Sequence, residues 1–519
     1  MLRAMLQEQE AVTEPAARTP SVYRDPLTWV IVGVVFGAYT VISVFRLLQL
    51  NPSSWDLGIF TEDVRQYAHF HAPIVDIRGA GTNLLGDHFS PAVAILAPFF
   101  RVFPSAATLL VAQALLTAVS IFPISQLARE KLSPGPARAI AIAYGFSWGL
   151  QQMINFDFHE IAIAVPLLAF TLSAVVRGRI MTACWWALPL VFVKEDQGFT
   201  VAAIGVYLLM SGVRSEQADR TRVRAGQFLL VWGLGWSVLA ITLIVPHFNA
   251  EHVYTYWNAG GAFAPGNHPS VVALFRQFFH AWPVKLTTVV LLLLPTAFIA
   301  VRSPLALISV PSLALRFEST NSAYWGTAWH YNATVMPILF VAAVDALALI
   351  AAARRAEESA HPDAESGGPG WASGQWGWWR AALAGADRHG PAMMLAITVP
   401  LAFQYPLSNL WNGQTYEISP HVAAANAAMA KVPDGATVVT TLDLLASLAA
   451  RTDTYWIGNS GNPHTEYIVF DGKNSGYGSG AVNVPALIGQ FYPGNIYTQI
   501  FADDDVYVYR LNAPSPPMR

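Results

Sequence analysis

Apolar residues run through this chain in stretches long enough to cross a membrane, separated by short polar turns. The runs fall near 28–48, 107–127, 137–153, 159–176, 180–193, 198–212, 227–246, 283–301, 304–315, 333–352 and 391–408. About 20 apolar residues in a helix span the hydrocarbon of a bilayer, so the pattern predicts a polytopic α-helical membrane protein of about eleven transmembrane helices. Runs 180–193, 198–212 and 304–315 are short and need tilt or re-entry. Residues 1–27 are polar and lack the apolar core of a cleavable signal, so the first run is expected to stay attached as an anchor.

Lys and Arg beside spans are retained in the cytoplasm. With the N-terminus inside, seventeen of these cations fall on cytoplasmic segments and eight on the outer ones up to residue 410. This bias predicts a cytoplasmic tail over 1–27, a transmembrane domain over 28–410 and an extracytoplasmic C-terminal domain over 411–519. The domain 28–410 carries outside loops at 49–106 and 247–282, and a Gly, Ser and Trp-rich cytoplasmic linker at 353–390. In the tail the period changes. Helical stretches at 421–432, 442–450 and 484–492 alternate with short runs rich in Val, Ile, Thr and Tyr, which predicts a small α/β domain ending in a hairpin around Asp503–Asp505.

Composition agrees with this reading. Of 519 residues, 54% are hydrophobic and 12% charged, about half the charge density of a soluble domain. The net charge of −3 argues against a nucleic-acid partner, and one cysteine, Cys184, excludes a disulfide framework. No Walker loop, Gly-x-Ser-x-Gly elbow or His-Glu-x-x-His helix occurs in the sequence.

Candidate chemistry crowds one face. Eleven of thirteen histidines and most acids at span mouths fall outside. Asp56 follows Trp55 where the first span ends, a partly apolar setting that suits a base; capping the next helix is an equal alternative. Glu62 and Asp63 lie just behind. Asp87 and His88 could bind a divalent cation (Mg or Mn) or orient a phosphate. Asp157, His159 and Glu160, and likewise Lys194, Glu195 and Asp196, sit between spans with almost no loop, where charges are paired or line a wet cavity. Lys194 could meet a lipid phosphate or form an internal ion pair. Arg316 and His330 could add phosphate contacts, and Tyr256 and Trp257 offer aromatic faces to a sugar or anchor the interface.

The motifs WDLGIF (55–60), LGDHFSP (85–91), NFDFHE (155–160), KEDQG (194–198), WHYNATVMPILF (329–340) and PDGATVVTTLDLLASLAAR (433–451) resemble the bacterial membrane family named domain of unknown function 2079. That family is in turn similar to C-type glycosyltransferases, which take a sugar from a polyprenyl-phosphate carrier outside the cytoplasm. The resemblance implies a bacterial plasma-membrane enzyme that inverts by single displacement. It implies a polyprenyl-phosphate-linked donor and an envelope glycan, lipid or protein as acceptor. It implies a carboxylate base in the first outside loop, best matched by Asp56, although the family's usual acidic pair is not at that position and Glu62–Asp63 stand close behind. Lys194, Arg316, His88 or a divalent ion are expected to stabilise the departing phosphate. A transporter or lipid flippase for an envelope precursor is the competing expectation.

Overall fold

The computed structural model describes residues 21–214, 219–256, 270–360, 386–473, 482–494 and 496–512. Its longer helices up to residue 402 are α1 (Pro26–Leu48), α2 (Asp56–Ala68), α3 (Ala106–Val119), α4 (Ile121–Lys131), α5 (Pro134–Gly145), α6 (Trp148–Asn155), α7 (Ile161–Val176), α8 (Ile180–Ala187), α9 (Gln197–Val213), α10 (Arg220–Leu239), α11 (Val271–Phe279), α12 (Trp282–Leu293), α13 (Val310–Glu318), α14 (Val335–Ala360) and α15 (Ala386–Ala402).

Among the described residues, four stretches are long and apolar enough to cross a membrane: Pro26–Leu48, Ala106–Lys131, Arg220–Phe248 and His330–Arg355. A fifth forms if α11 and the helix from Trp282, bent by 64°, count as one. The expected eleven are therefore not reached, and the reason lies in local breaks. The run 137–153 divides at Phe146–Ser147 into α5 and α6. The run 180–193 turns into a 3-10 helix at Leu188, with Pro189 next, and 304–315 opens with a 3-10 turn at Pro304 and restarts at Val310–Pro311. Of the shorter apolar helices, α7 is almost wholly buried inside the bundle.

α1 sets the vertical scale. Pro26 occupies its first position, where the missing N–H costs nothing. Asp25 just ahead pairs with Arg129 at 2.9 Å and Arg138 at 3.4 Å. At the far end Arg46 donates to Ser53 Oγ at 2.7 Å and lies 3.5 Å from Asp157. Arg46 follows Asp25 by 21 helical rises, so the two charged clusters stand roughly 32 Å apart, one at each mouth of the bundle.

Glycine lets two helices touch. An added Cβ at Gly205 on α9 would lie 2.5 Å from Leu230 N and 2.7 Å from Gly226 O on α10, the close backbone approach that small residues permit in membranes. The bend between α11 and α12 is pinned by Lys285, whose ammonium donates to the carbonyls of Gln277 at 2.8 Å, Phe278 at 3.0 Å and Phe317 at 2.6 Å.

The tail comprises α16 (Pro420–Met429), β1 (Thr437–Thr440), α17 (Leu445–Ala449), β2 (Asp453–Trp456), β3 (Tyr467–Asp471), α18 (Val484–Phe491), β4 (Tyr497–Asp503) and β5 (Val506–Leu511). The strands form one sheet in the order β2-β1-β3-β5-β4. The first three are parallel, β5 runs antiparallel to β3 with Val469 opposite Val508, and β4 and β5 form an antiparallel hairpin. The tail sits on α2. Leu445 Cβ comes within 3.0 Å of where a Cβ of Gly58 would be, Arg65 pairs with Asp453 at 2.8 Å, and Trp456 meets Trp55 edge-on at 4.9 Å.

Gly205→Ala is expected to cost about 1–3 kcal/mol by overpacking and to lower the thermal midpoint of the detergent-solubilised protein. Gly235→Ala, on the same helix as Gly226 but with nothing within 4 Å of the new methyl group, is the control and should leave the midpoint unchanged.

Candidate active site

Two cavities meet at the mouth of the bundle nearest the tail. The first, about 230 Å³, is lined by Trp55, Asp56, Arg78, Asp87 and His159 among others. The second, about 220 Å³, carries Glu195 and Asp196 at one side and Ile161, Phe199, Ile241 and Leu315 at the other. Six residues line both: His88, Lys194, Tyr256, Tyr324, His330 and Tyr331. One chamber is polar, the other mixed, and they share a wall.

Asp56 opens α2, its N–H held by Ser54 Oγ at 3.0 Å. Burial raises its carboxyl above the ordinary range, and the positive charges of His159 and Lys194 pull it back. Trp55 beside it carries the Arg78 guanidinium over its ring at 4.9 Å. Lys194 sits in the turn before α9 and pairs with Glu160 Oε1 at 3.0 Å. The other oxygen of Glu160 lies 2.6 Å from His159 Nδ1. Glu160 is wholly buried, so this triad fixes where the Lys194 ammonium stands.

Glu195 does similar work for His88. Its two oxygens accept from Tyr254 OH at 2.9 Å and Phe89 N at 3.0 Å, and Oε1 holds His88 Nδ1 at 2.8 Å. Tyr256 stacks on His88 at 4.2 Å and donates to Asp87 at 3.2 Å.

Several residues singled out by the sequence serve other ends. Glu62 and Asp63 line neither cavity: Glu62 is buried with its Oε2 accepting from Ile77 N at 3.2 Å, and Asp63, on the same helix face as Asp56 and Phe60, is buried two turns below Asp56. Asp157 and Glu160 also stay outside the cavity walls; Asp157 accepts from Ser53 N at 2.6 Å and so fixes the turn leading to Asp56. Arg316 reaches a wall, but its guanidinium is spent on Tyr324 O at 3.0 Å, Tyr331 O at 3.1 Å and Asn332 Oδ1 at 3.0 Å. A phosphate would have to compete with those bonds. Asp87 and His88 diverge, the first toward Arg78 at 2.9 Å and the second toward Glu195. They do not converge on a common point for a divalent ion, and no cluster of three or more His, Cys, Asp or Glu suited to a metal occurs among the described residues. Trp257 lies outside the described residues.

The sequence reading missed Arg78, Tyr254 and Tyr324 as members of the site. Arg78 was visible as an outer cation, yet its partner nine residues on, Asp87, is set by the 3-10 turns between them and not by any periodicity.

A family model described as predicted membrane protein (DUF2079) matches residues 46–475. No curated protein matches the sequence. The fold is similar to ArnT from Cupriavidus metallidurans bound to undecaprenyl phosphate, with TM-score 0.53, 12% identity and coverage of 95% of this chain and 99% of that one. The apo form of the same protein gives 0.51, 13%, 93% and 98%. The oligosaccharyltransferase of Archaeoglobus fulgidus in its apo form aligns at 0.40, 12%, 88% and 70%. The likeness is one of fold, and the structural neighbours are C-type glycosyltransferases.

Burial, reinforced by Asp76 and opposed by the Ile77 N–H and Arg65, pushes Glu62 from 4.5 up to about 8. The folded chain thus holds a proton that the unfolded chain releases, so the associated stability is full below about 4.5 and is lost as pH rises through about 8. Unfolding midpoints taken at about pH 6 and about pH 9 should fall for the wild type and fall less for Glu62→Gln.

Proposed function

The chain belongs to the DUF2079 family of predicted membrane proteins, and on that footing we propose that it is a glycosyltransferase drawing a sugar from a polyprenyl-phosphate donor outside the cytoplasm. The observation that carries this reading is the pair of cavities with Lys194 in their common wall. A lipid-linked sugar needs an apolar groove for its chain, a cation for its phosphate and an open polar chamber on the other side of the sugar. The mixed cavity offers Ile161, Phe199, Ile241 and Leu315 to the chain, and Lys194 stands at its polar end. Asp56 lines the polar cavity that Lys194 also lines, which supports it as the base.

In the mechanism we infer, an acceptor hydroxyl enters the polar chamber and Asp56 takes its proton. The acceptor oxygen forms a bond to the anomeric carbon while the bond from that carbon to the phosphate oxygen breaks, and the electron pair leaves with the polyprenyl phosphate. Lys194 stabilises the charge gathering on that phosphate. One displacement inverts the anomeric centre. His88 is held by Glu195 at the same wall and is the second candidate contact for the phosphate. Because Asp87 and His88 diverge, no step is routed through a metal. ArnT binding undecaprenyl phosphate lends the donor class support by analogy of fold. The bacterial plasma membrane, the cytoplasmic N-terminus and an envelope glycan, lipid or protein as acceptor complete the proposal.

The test is transfer by the purified full-length protein in nanodiscs from a panel of undecaprenyl-phosphate sugars to an envelope extract. Asp56→Asn is expected to lower kcat by about 10²–10⁴-fold with little change in donor KM, and Lys194→Met to weaken both donor binding and turnover. Full activity in Asp56→Asn would remove Asp56 from the role of base.

A further inference from the structure

Two left-handed backbones outside glycine stand beside the site's inner histidines. Asp157, two residues before His159, has φ 86°, and Trp329, immediately before His330, has φ 67°. Such conformations are disfavoured for residues with a Cβ and persist only where surrounding structure enforces them. Here both are anchored. Asp157 is held by Arg46 and by Ser53 N. The loop before α14 is tied by Arg316 to Tyr324 O and Tyr331 O, and by Asn332 Nδ2 to Gly326 O at 3.2 Å.

The outcome is a stack of two imidazoles, His159 on His330, with centroids 3.6 Å apart and planes 25° from parallel. Two like charges at that distance repel strongly. Glu160 Oε2 lies 2.6 Å from His159 Nδ1, so of the two stacked rings His159 is the one that touches the carboxylate. His330 is 3% exposed, and its Nδ1 is buried with no hydrogen-bond partner. A buried ring nitrogen without a partner is costly unless a ligand supplies one. His330 also lines both cavities.

Resting on the glycosyltransferase reading, the sugar is bonded to a phosphate at Lys194 and attacked from the Asp56 side, so it occupies the common wall. We propose that His330 Nδ1 hydrogen-bonds a hydroxyl of the transferred sugar and that His330 is therefore a specificity-determining residue for the donor. A neutral imidazole can give or accept such a bond according to its tautomer. The phosphate is left to Lys194, whose full charge suits an anion better.

The experiment measures binding of undecaprenyl phosphate, and of undecaprenyl-phosphate sugars differing at single ring hydroxyls, to the full-length protein in nanodiscs. His330→Ala is expected to weaken the preferred sugar-bearing donor by about 10–100-fold and to leave sugarless undecaprenyl phosphate unchanged. One deoxy donor should lose affinity for the wild type and none for the variant. His330→Asn, whose amide falls near the position of Nδ1, should retain the sugar preference and shows that a loss in His330→Ala is not misfolding. Equal weakening of sugarless and sugar-bearing lipid assigns His330 to the phosphate and overturns the proposal, as does unchanged selectivity in His330→Ala. A wild type that binds no undecaprenyl phosphate overturns the glycosyltransferase reading itself.

Discussion

A single buried carboxylate organises this end of the molecule. Glu160 has no access to water, and an isolated charge in such a place is strongly unfavourable. Its two oxygens are met by Lys194 and His159. Because each partner comes from a different turn, the ion triad locks the start of α7 to the turn before α9. Lys194 retains 14% exposure of its side chain, and this is the part that faces the chambers. The acid is thus more than a neutralising partner: it determines which way the ammonium points. The same logic recurs at Glu195, which orients His88 through Nδ1 and carries Tyr254 on the same oxygen.

Much of this was legible in the sequence, in proportion to how local the cause was. Periodicity over 421–511 marks the strands and helices of the tail because each rests on its own residues and turn signals. Apolar runs mark where helices lie, yet among the described residues only four or five helices are by themselves long and apolar enough to cross. Hydropathy does not register that Pro189, Pro304 and Pro311 tighten or restart the backbone, nor that an apolar helix such as α7 is hidden among its neighbours instead of facing lipid. At the site, Asp56, His88, Lys194 and His330 share the chambers because the chain places their motifs at the mouths of successive helices. Arg316 shows the limit. Its composition and position suggest an anion contact, and only the fold reveals that three groups of its own loop already use its donors. Glu62 shows it again: six residues after Asp56 on the same helix, it is one residue out of phase with it, and its carboxyl meets Ile77 N and not a cavity.

Similarity of fold and chemistry of site are separate supports. The likeness to ArnT spans nearly the whole of both chains at 12% identity, so it speaks for how helices and tail are arranged and not for which side chains act. The reaction class draws its support from the two chambers and the residues that divide them.

The seating of the tail on α2 carries a corollary for how the molecule can be divided. Gly58, Arg65 and Trp55 reach the tail through Leu445, Asp453 and Trp456. The helix that begins with Asp56 is therefore roofed by residues almost four hundred positions further along the chain. A bundle severed before the sheet would turn the apolar back of that helix to solvent and loosen its first turn. The sheet domain is accordingly no detachable appendage: the chain has to run on past Trp456 before the first turn of that helix is covered.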